Sequence, residues 1–360
     1  MGEPKNGLYL AVILMIRFTL FTLLLSFGTS LMAESFYPAP LLHMDNAFSH
    51  HVLVAEKNTH TLYLFKNEDS KPVLVKTYQM ATGKKAGDKA FQGDHRTPEG
   101  VFFFTDFINH QQLIERHGKQ GEIYGVGAFV MDYPNPIDKA EGKTGGGIWL
   151  HSTNDETRID KGLDSRGCLV THNSMLIELS EYIELNRTPM IVTHDLKYLS
   201  QKTWKKNKNK ITSAVEGWVN SWQNEDLKSY LSFYHKKEYK DKVRGGYYQF
   251  AAYKKAVFSN PGKPVVNIKN LSIMQSGDYA IAVFKQEYES ATIKDLGRKI
   301  LYLKKDQYYK WKIVSENWTK NGVGPTDRSE NVAFRPEMRF FKTRNPSQIL
   351  GESWKQSSNN

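Results

Sequence analysis

The 360-residue sequence contains a single cysteine, Cys168, and this scarcity limits the chemistry that the chain can carry. One cysteine cannot form a disulfide within its own chain, and it cannot supply a zinc site that needs two thiolates. Histidine pairs of the form H-x-x-x-H are also missing. The glycines between positions 83 and 100 lack the strand and helix context of a nucleotide-binding loop. We therefore expect neither a metal nor a cofactor.

Long apolar runs are also scarce, and the longest lies at the N-terminus. The uninterrupted block at 18–27 is shorter than the roughly 20 residues that span a bilayer, but it has the length of a signal-peptide core. Residues 1–33 are thus predicted to be a signal peptide cleaved after Ala33, or an uncleaved anchor that spans 8–27 and tolerates Arg17. Both alternatives place the rest of the chain in the periplasm or cell envelope, and the anchor would add membrane association.

Acidic residues are outnumbered, with 38 against 49 lysines and arginines, so the formal net charge is +11. Basic surfaces attract nucleic acids or other anionic polymers. Because the chain is predicted to be exported, we expect anionic envelope polymers or lipid headgroups as partners and no nucleic acid. Most of the lysines are expected to form an ordinary solvated surface.

Residues 51–194 have the pattern of a mainly β domain. Alternating runs on both sides of "EKNTH" predict a hairpin, and "GGGIWLHS" predicts a buried strand that ends at His151. After the cysteine, "NSMLIELSEYIELN" has helical spacing, with Asn173 as the expected N-cap. "PMIVTHD" is expected to be the last strand of this domain.

The rest of the chain has a different composition. The basic stretch 195–210 is predicted to be a linker. Residues 211–325 begin with amphipathic helices and continue with three alternating runs that predict long antiparallel strands, which indicates an α+β domain. Residues 326–360 lack periodicity and are expected to form an extended arm or tail. No internal repeat is present.

The position of the cysteine raises the question of its role, because it follows His151 by 17 residues. An inert buried thiol, an intermolecular bridge and a nucleophile all remain open at this point. An imidazole near a thiol takes its proton, so a His151–Cys168 pair predicts a thiol pKa below the ordinary value of about 8.5. Gly167 would allow close backbone approach, and Ser165 could fix the loop.

Two motifs in this region carry a resemblance to a known family. "GIWLHS…SRGCLV" resembles the H-x(n)-S-x-G-C signature of the L,D-transpeptidase, or YkuD-type, family, and "ATGKKAGDKAFQGDHRTPEGVF" resembles its upstream loop and T-P-x-G turn. The resemblance covers 51–194. It implies a β-sandwich domain with a short helix that acts on peptidoglycan stem peptides.

The same resemblance implies roles for individual residues. Cys168 would be the nucleophile and His151 the general base, oriented by the carbonyl of Ser152. Backbone N–H groups of Gly167 and Cys168 would stabilise an oxyanion, with Ser165 supporting the loop.

Substrate recognition departs from the family pattern at one position. Many members carry arginine two residues after the cysteine, where this chain has Val170. Arg166 lies two residues before the cysteine instead and is a candidate for binding a substrate carboxylate. Tyr133 and Trp149 are further candidates for substrate contact.

A second resemblance concerns the whole architecture. "YPNPIDKAEGKTGGGIWLHST", followed by an α+β domain, is similar to envelope L,D-carboxypeptidases that trim tetrapeptide stems and influence cell shape. Their C-terminal domain has the cone-shaped fold of nuclear transport factor two, also called SnoaL-like. We therefore expect a β catalytic domain and an α+β cone.

The expected reaction is cleavage of the bond before the terminal D-alanine of muropeptide stems. A Cys168 thioester would pass the acyl group to an amine, as in a transpeptidase, or to water, as in a carboxypeptidase. The alternative is a non-catalytic cell-wall-binding module. A nucleic-acid binder would require retention in the cytoplasm. The sequence leaves the oligomeric state open.

Overall fold

The computed structural model describes residues 35–259, 262–321 and 334–351. The predicted signal or anchor at 1–33 lies outside these residues. The strands are β1 Phe36–Pro38, β2 Leu41–His43, β3 His51–Glu56, β4 Thr61–Glu68, β5 Lys71–Gln79, β6 Thr82–Gly83, β7 Gly100–Asn109, β8 Gly127–Met131, β9 Trp149–His151, β10 Leu163–Ser165, β11 Leu169–Val170, β12 Pro189–Thr193, β13 Tyr198–Ser200, β14 Lys240–Asp241, β15 Gly245–Gly246, β16 Val265–Ser276, β17 Tyr279–Glu289, β18 Lys294–Lys305 and β19 Trp311–Lys320.

The helices fall mostly between these strands. They are α1 His110–His117, α2 Pro136–Ala140, α3 Thr157–Asp160, α4 Asn173–Ser180, α5 Gln201–Gln223, α6 Leu227–Ser232, α7 Tyr247–Phe258 and α8 Pro346–Leu350, with a 3-10 turn at Gly118–Tyr124.

The first domain is built on one mixed sheet of eight strands in the order β11-β9-β8-β7-β12-β3-β4-β5. The predicted hairpin is confirmed, because β3 and β4 pair antiparallel with Leu53 opposite Leu64. Strand β3 is buried along its whole length, as expected of a strand covered on both faces. The expected mainly β domain is therefore confirmed.

The pairing at the β11 edge of this sheet positions the cysteine loop. Strand β11 runs parallel to β9, and Val170 lies opposite His151. Parallel strands need a crossover connection, and neighbouring strands lie about 4.8 Å apart. The segment between β9 and β11 must therefore fold back, and Cys168, just before β11, returns beside the end of β9.

The second domain is α+β, as predicted. A five-stranded antiparallel sheet in the order β19-β18-β17-β16-β2 packs against α5. Apolar spacing along α5 buries Trp204, Ile211, Val215 and Trp218 on one face of that helix. The third alternating run is two strands, β18 and β19, rather than one, and α7 was not anticipated.

The N-terminal strands join the second domain rather than the first. Strand β2 pairs antiparallel with β16, and β1 pairs with β13. A single buried cluster then combines side chains of both sheets, including Val101 and Ile191 of the first and Ile281 and Tyr302 of the second. From Phe36 onward the chain thus contributes first to the second domain, then builds the first domain and returns, which joins the two domains through a continuous core.

Two predicted connections are structured. The linker predicted at 195–210 contains β13 and the first ten residues of α5, so it is not an irregular connection. Part of the predicted tail, residues 334–351, packs on the first domain. Phe341 is buried in its core, and Arg344 pairs with Glu181. Of the two expected forms, the loose tail does not hold for these residues, whereas an arm packed on the first domain agrees with their contacts.

Helix α4 begins one residue earlier than predicted. Asn173 is its first residue and His172 is its N-cap. Within the described part of the chain, no helix combines the length and hydrophobicity needed to cross a bilayer, and no cluster of three metal-binding side chains occurs.

Candidate active site

His151 is the last residue of β9, and its ring orientation is fixed by the backbone. The Nδ1 atom lies 2.5 Å from the carbonyl oxygen of Ser152. A carbonyl only accepts hydrogen bonds, so Nδ1 carries the proton and Nε2 is the basic nitrogen. The structure thus shows the Ser152 contact that the family resemblance implied, and it leaves Nε2 able to accept a proton.

The cysteine loop is held by one serine side chain. Ser165 Oγ accepts a hydrogen bond from the Gly167 N–H at 3.0 Å and donates one to the Cys168 carbonyl at 2.6 Å. Gly167 has φ of 128°, and a Cβ there would lie 2.8 Å from the carbonyl oxygen of Arg96. Glycine is required because the loop passes directly against another backbone segment.

This geometry affects one expected role. The Gly167 N–H is engaged by Ser165, so it is not free to donate to an oxyanion in this conformation. Of the two expected donors, we retain the Cys168 N–H as the candidate. Ser165 holds the loop, as expected.

The side chains of His151 and Cys168 favour their neutral forms. Burial raises the pKa of the Cys168 thiol to about 11, against smaller lowering effects of the Trp149 N–H and the charges of Arg158 and Lys89. Burial lowers the pKa of His151 to about 4 despite its bond to Ser152. The expected low thiol pKa is therefore wrong in direction for the free protein, because desolvation outweighs the nearby cations.

His151 and Cys168 line the same cleft, which has a volume of about 700 Å³ and is called the His151 cleft below. The sulfur is half-buried, and it is 3.5 Å from the carbonyl oxygen of Gly147. Arg166 is exposed and also lines this cleft. The fold therefore places His151, Cys168 and Arg166 along the walls of one cleft.

The two aromatic candidates are placed differently. Tyr133 is 6 % exposed and belongs to the core of the first domain, where it packs edge-on against Phe102. It is not among the residues that line the His151 cleft, so the geometry gives no support to its expected role in substrate binding. Trp149 is half-buried, and its ring stands 4.9 Å from that of Tyr124. It supports Tyr124 rather than lining the cleft.

Sequence reasoning missed Tyr124, the last residue of the 3-10 turn. Its ring meets that of His151 edge-on at 4.9 Å, and it lines the cleft beside Cys168. Nothing in the local pattern of residues 118–124 marked this tyrosine, because only the folding of β8 and β9 brings it to the histidine.

Arg158 and Asn173 were also missed, although both hold the walls of the cleft. Arg158 Nε contacts Asp164 at 2.5 Å, and its Nη1 donates to Thr153 Oγ1 at 3.0 Å. Asn173 is fully buried, donates to the Thr153 carbonyl and accepts from the Val126 N–H. The Asn173 bonds join segments 20 and 47 residues apart, which no spacing rule could reveal, whereas the two Arg158 bonds span only five and six residues.

Comparison with known proteins identifies both domains. Residues 50–192 match the model of the L,D-transpeptidase catalytic domain, called YkuD, and residues 210–317 match that of the Cds6 C-terminal NTF2-like domain. The structure of Bdellovibrio bacteriovorus Bd1075 is 30% identical, with a TM-score of 0.69. The match covers 79% of this chain and 99% of that one.

This chain belongs to the L,D-transpeptidase family. The helical cell shape determining protein Pgp2 from Campylobacter jejuni is also similar, at 27% identity and a TM-score of 0.60, over 76% of this chain and 95% of that one. No curated protein matches significantly. The two-domain resemblance drawn from the sequence, a YkuD-type domain followed by an NTF2-like domain, is confirmed.

Proposed function

We propose that this protein cleaves the bond before the terminal D-alanine of peptidoglycan stem tetrapeptides through a thioester on Cys168. The observation that carries the proposal is that His151 and Cys168 line one cleft, with His151 Nδ1 engaged by Ser152. The family of the chain and the cell-shape function in the name of its Campylobacter relative support a cell-wall substrate.

The proposed acylation moves one proton and exchanges one bond. Because thiol and imidazole are both neutral at rest, His151 Nε2 takes the proton as Sγ attacks the carbonyl carbon of the third residue. The Cys168 N–H stabilises the oxyanion that forms. The C–N bond then breaks, the proton passes from Nε2 to the amine of D-alanine, and the acyl group remains on sulfur.

Release of the acyl group repeats these steps with a new nucleophile. Water or an amine of a neighbouring stem gives its proton to Nε2 and attacks the thioester, and the thiol is restored. Val170 is fully buried with Ala81 and Ile159, so position 170 offers no charge to an acceptor. The lack of a charge at position 170 and the appended domain favour water as the nucleophile that attacks the thioester. The protein would then be an L,D-carboxypeptidase.

Product analysis tests the proposal. Purified protein is incubated with disaccharide-tetrapeptide, and the products are identified by mass spectrometry. Disaccharide-tripeptide indicates hydrolysis, and a dimer linked between third residues indicates transfer. A non-catalytic wall-binding module predicts neither product, and it also predicts that cells carrying Cys168→Ala keep their shape.

The same proposal places the protein in the periplasm, where its substrate lies. Residues 1–33 would direct export as a signal peptide or hold the protein at the membrane as an anchor. Fractionation of cells that produce the tagged full chain tests this directly. Recovery in the cytoplasm would contradict both alternatives.

A further inference from the structure

A second cleft meets the first at the cysteine. It has a volume of about 500 Å³ and is called the Lys89 cleft below. Tyr124, Arg166 and Cys168 line both clefts, whereas His151 lines only the larger one. Cys168 therefore lies where the His151 cleft and the Lys89 cleft meet.

The position of His151 determines which part of a substrate each cleft can hold. In the proposed function, on which this inference rests, His151 gives a proton to the departing amine and takes one from the incoming nucleophile. Both groups must therefore lie on the side of the imidazole, in the His151 cleft. The acyl part of the stem peptide would therefore occupy the Lys89 cleft.

The two clefts differ in charge. The His151 cleft is lined by both signs, including the acidic side chains of Glu122, Asp155 and Asp164. Among the described residues that line the Lys89 cleft, Lys89 and Arg166 are cationic and none is acidic. The Lys89 cleft is thus suited to an anionic group.

Lys89 is built into this cleft rather than lying on its surface. It is 3 % exposed, and its Nζ donates to Asp94 Oδ1 at 2.7 Å and to the Phe91 carbonyl at 3.1 Å. An ammonium has three N–H donors, so these contacts with described residues use two of them. A buried ion pair adds little net stability over apolar side chains of similar volume, so a gain in stability does not account for the burial of this charge.

The charge of Lys89 still reaches the cysteine beside its partner, because it lowers the pKa of the Cys168 thiol against the larger raising effect of burial. Asp94 also accepts hydrogen bonds from the N–H groups of Ala90, Phe91 and Arg96, which share its negative charge. The loop is fixed across the cleft, because Thr144 donates from its backbone to Ala90 and accepts at its hydroxyl from Gln92. The ammonium is therefore preorganised beside the glycine-rich segment that leads to β9.

We propose that Lys89, together with Arg166, binds a free carboxylate of the acyl-donor peptide next to the bond that is cleaved. A stem peptide offers two such groups, the α-carboxylate of the glutamate at position two and the side-chain carboxylate of the diamino acid at position three.

Amidated donors test this proposal on the full-length protein. Three synthetic tetrapeptides are compared: one with both carboxylates free, one amidated at the glutamate and one amidated at the diamino acid. We expect kcat/KM to fall about tenfold or more for one amidated donor, since a hydrogen bond to a charged group is lost. That donor identifies which carboxylate is bound. Equal kcat/KM for all three would overturn the proposal.

A double variant tests the role of Lys89 itself. Lys89→Met alone would leave Asp94 buried without its partner, so Lys89→Met is combined with Asp94→Asn. We expect this variant to process free and amidated donors at similar rates, whereas Lys85→Met, at an exposed lysine of the same loop, keeps the wild-type preference. Undiminished preference in the folded double variant would overturn the assignment to Lys89. If that variant does not fold, Arg166→Gln and the wild-type donor series decide the question.

Binding to the Cys168→Ala variant separates this inference from the proposed function. Affinities for the three peptides are measured by calorimetry, which needs no turnover. Weaker binding of one amidated peptide supports carboxylate recognition even if no product forms. Equal binding, with normal turnover by the wild type, would overturn this inference and leave the proposed function intact.

Discussion

The two domains use buried polar groups in different ways. Around the cysteine, buried polar side chains bond mainly to backbone, as Ser165 does to Gly167 and Cys168. Inside the second domain they bond to one another. Tyr234 donates to Glu316 and accepts from Trp218 Nε1, and Lys299 pairs with Glu316 at 2.6 Å.

The difference follows from what each region must hold. The walls of the catalytic clefts are loops, whose backbone groups have no ladder partners, so side chains must satisfy and fix them. The interior of the cone is enclosed by regular strands and helices, whose backbone groups are largely paired with one another, so its central polar side chains bond to each other. Substitutions around the cysteine should therefore change the rate, and substitutions in the cone should change stability.

The largest effect is expected at His151. His151→Gln removes the proton acceptor but keeps a polar side chain at the end of β9. We expect kcat to fall by roughly 10²- to 10⁴-fold, the usual contribution of general acid–base catalysis. Steady-state hydrolysis of the disaccharide-tetrapeptide measures the loss, and the melting temperature should stay close to that of the wild type. A fall of less than threefold would mean that His151 is not the base.

A second large effect concerns pH. Because burial raises the thiol pKa to about 11, alkylation of Cys168 by iodoacetamide at pH 7.5 should be roughly two orders of magnitude slower than that of a free cysteine. The rate should still be rising at pH 10. Alkylation that reaches its plateau below pH 8 would show a thiolate paired with a protonated imidazole in the free protein.

The activity profile has an acid limit set by the histidine. His151 must be neutral to act as a base, and burial lowers its pKa to about 4. We expect kcat/KM to be steady near neutral pH and to fall as the pH drops through about 4. An acid limit near 6.5 would indicate an ordinary, solvated imidazole.

Gly167→Ala should lower both the stability of the cysteine loop and the rate of the reaction. The new methyl group would collide with the Arg96 carbonyl at a backbone conformation that alanine disfavours, which we expect to cost about 1–3 kcal/mol. Melting temperature and kcat report the two effects. Gly146→Ala is the stability control, since a Cβ there meets nothing within 4 Å. Equal stability of the two variants would contradict the strain at position 167.

The cone should respond in stability alone. Tyr234→Phe removes a buried hydroxyl that joins Trp218, Tyr230 and Glu316, and we expect a loss of about 1–3 kcal/mol with kcat on the small substrate unchanged. Thermal unfolding of the full chain measures it. Tyr309→Phe, at a tyrosine that is 81 % exposed, should have almost no effect. A fall in kcat without a fall in melting temperature would reverse the contrast between the domains.

The sequence predicted features that depend on local patterns or on a compact motif. The β3–β4 hairpin follows from alternation, and the strand that ends at His151 follows from a glycine-rich turn before an apolar run. The order of histidine, serine, glycine and cysteine indicated the family. In each case the residues that form the pattern are the same residues, or their near neighbours, that form the predicted structure.

The remaining features depend on contacts between distant segments. Strands β1 and β2 have three residues each, too few to show a period, and they pair with partners that are 160 or more residues away. Tyr133 lies in a polar, proline-containing stretch that resembles a surface loop, yet it packs inside the core. The thiol pKa depends on burial, which the motif does not encode.

Chemical identification of the acylated residue tests the central claim most directly. Wild-type protein is mixed with disaccharide-tetrapeptide, quenched in acid and digested, and the peptide that contains Cys168 is analysed by mass spectrometry. The account predicts a thioester of the disaccharide-tripeptide on Cys168 in the wild type, and neither adduct nor product with Cys168→Ala. Product formed by Cys168→Ala at the wild-type rate would contradict it.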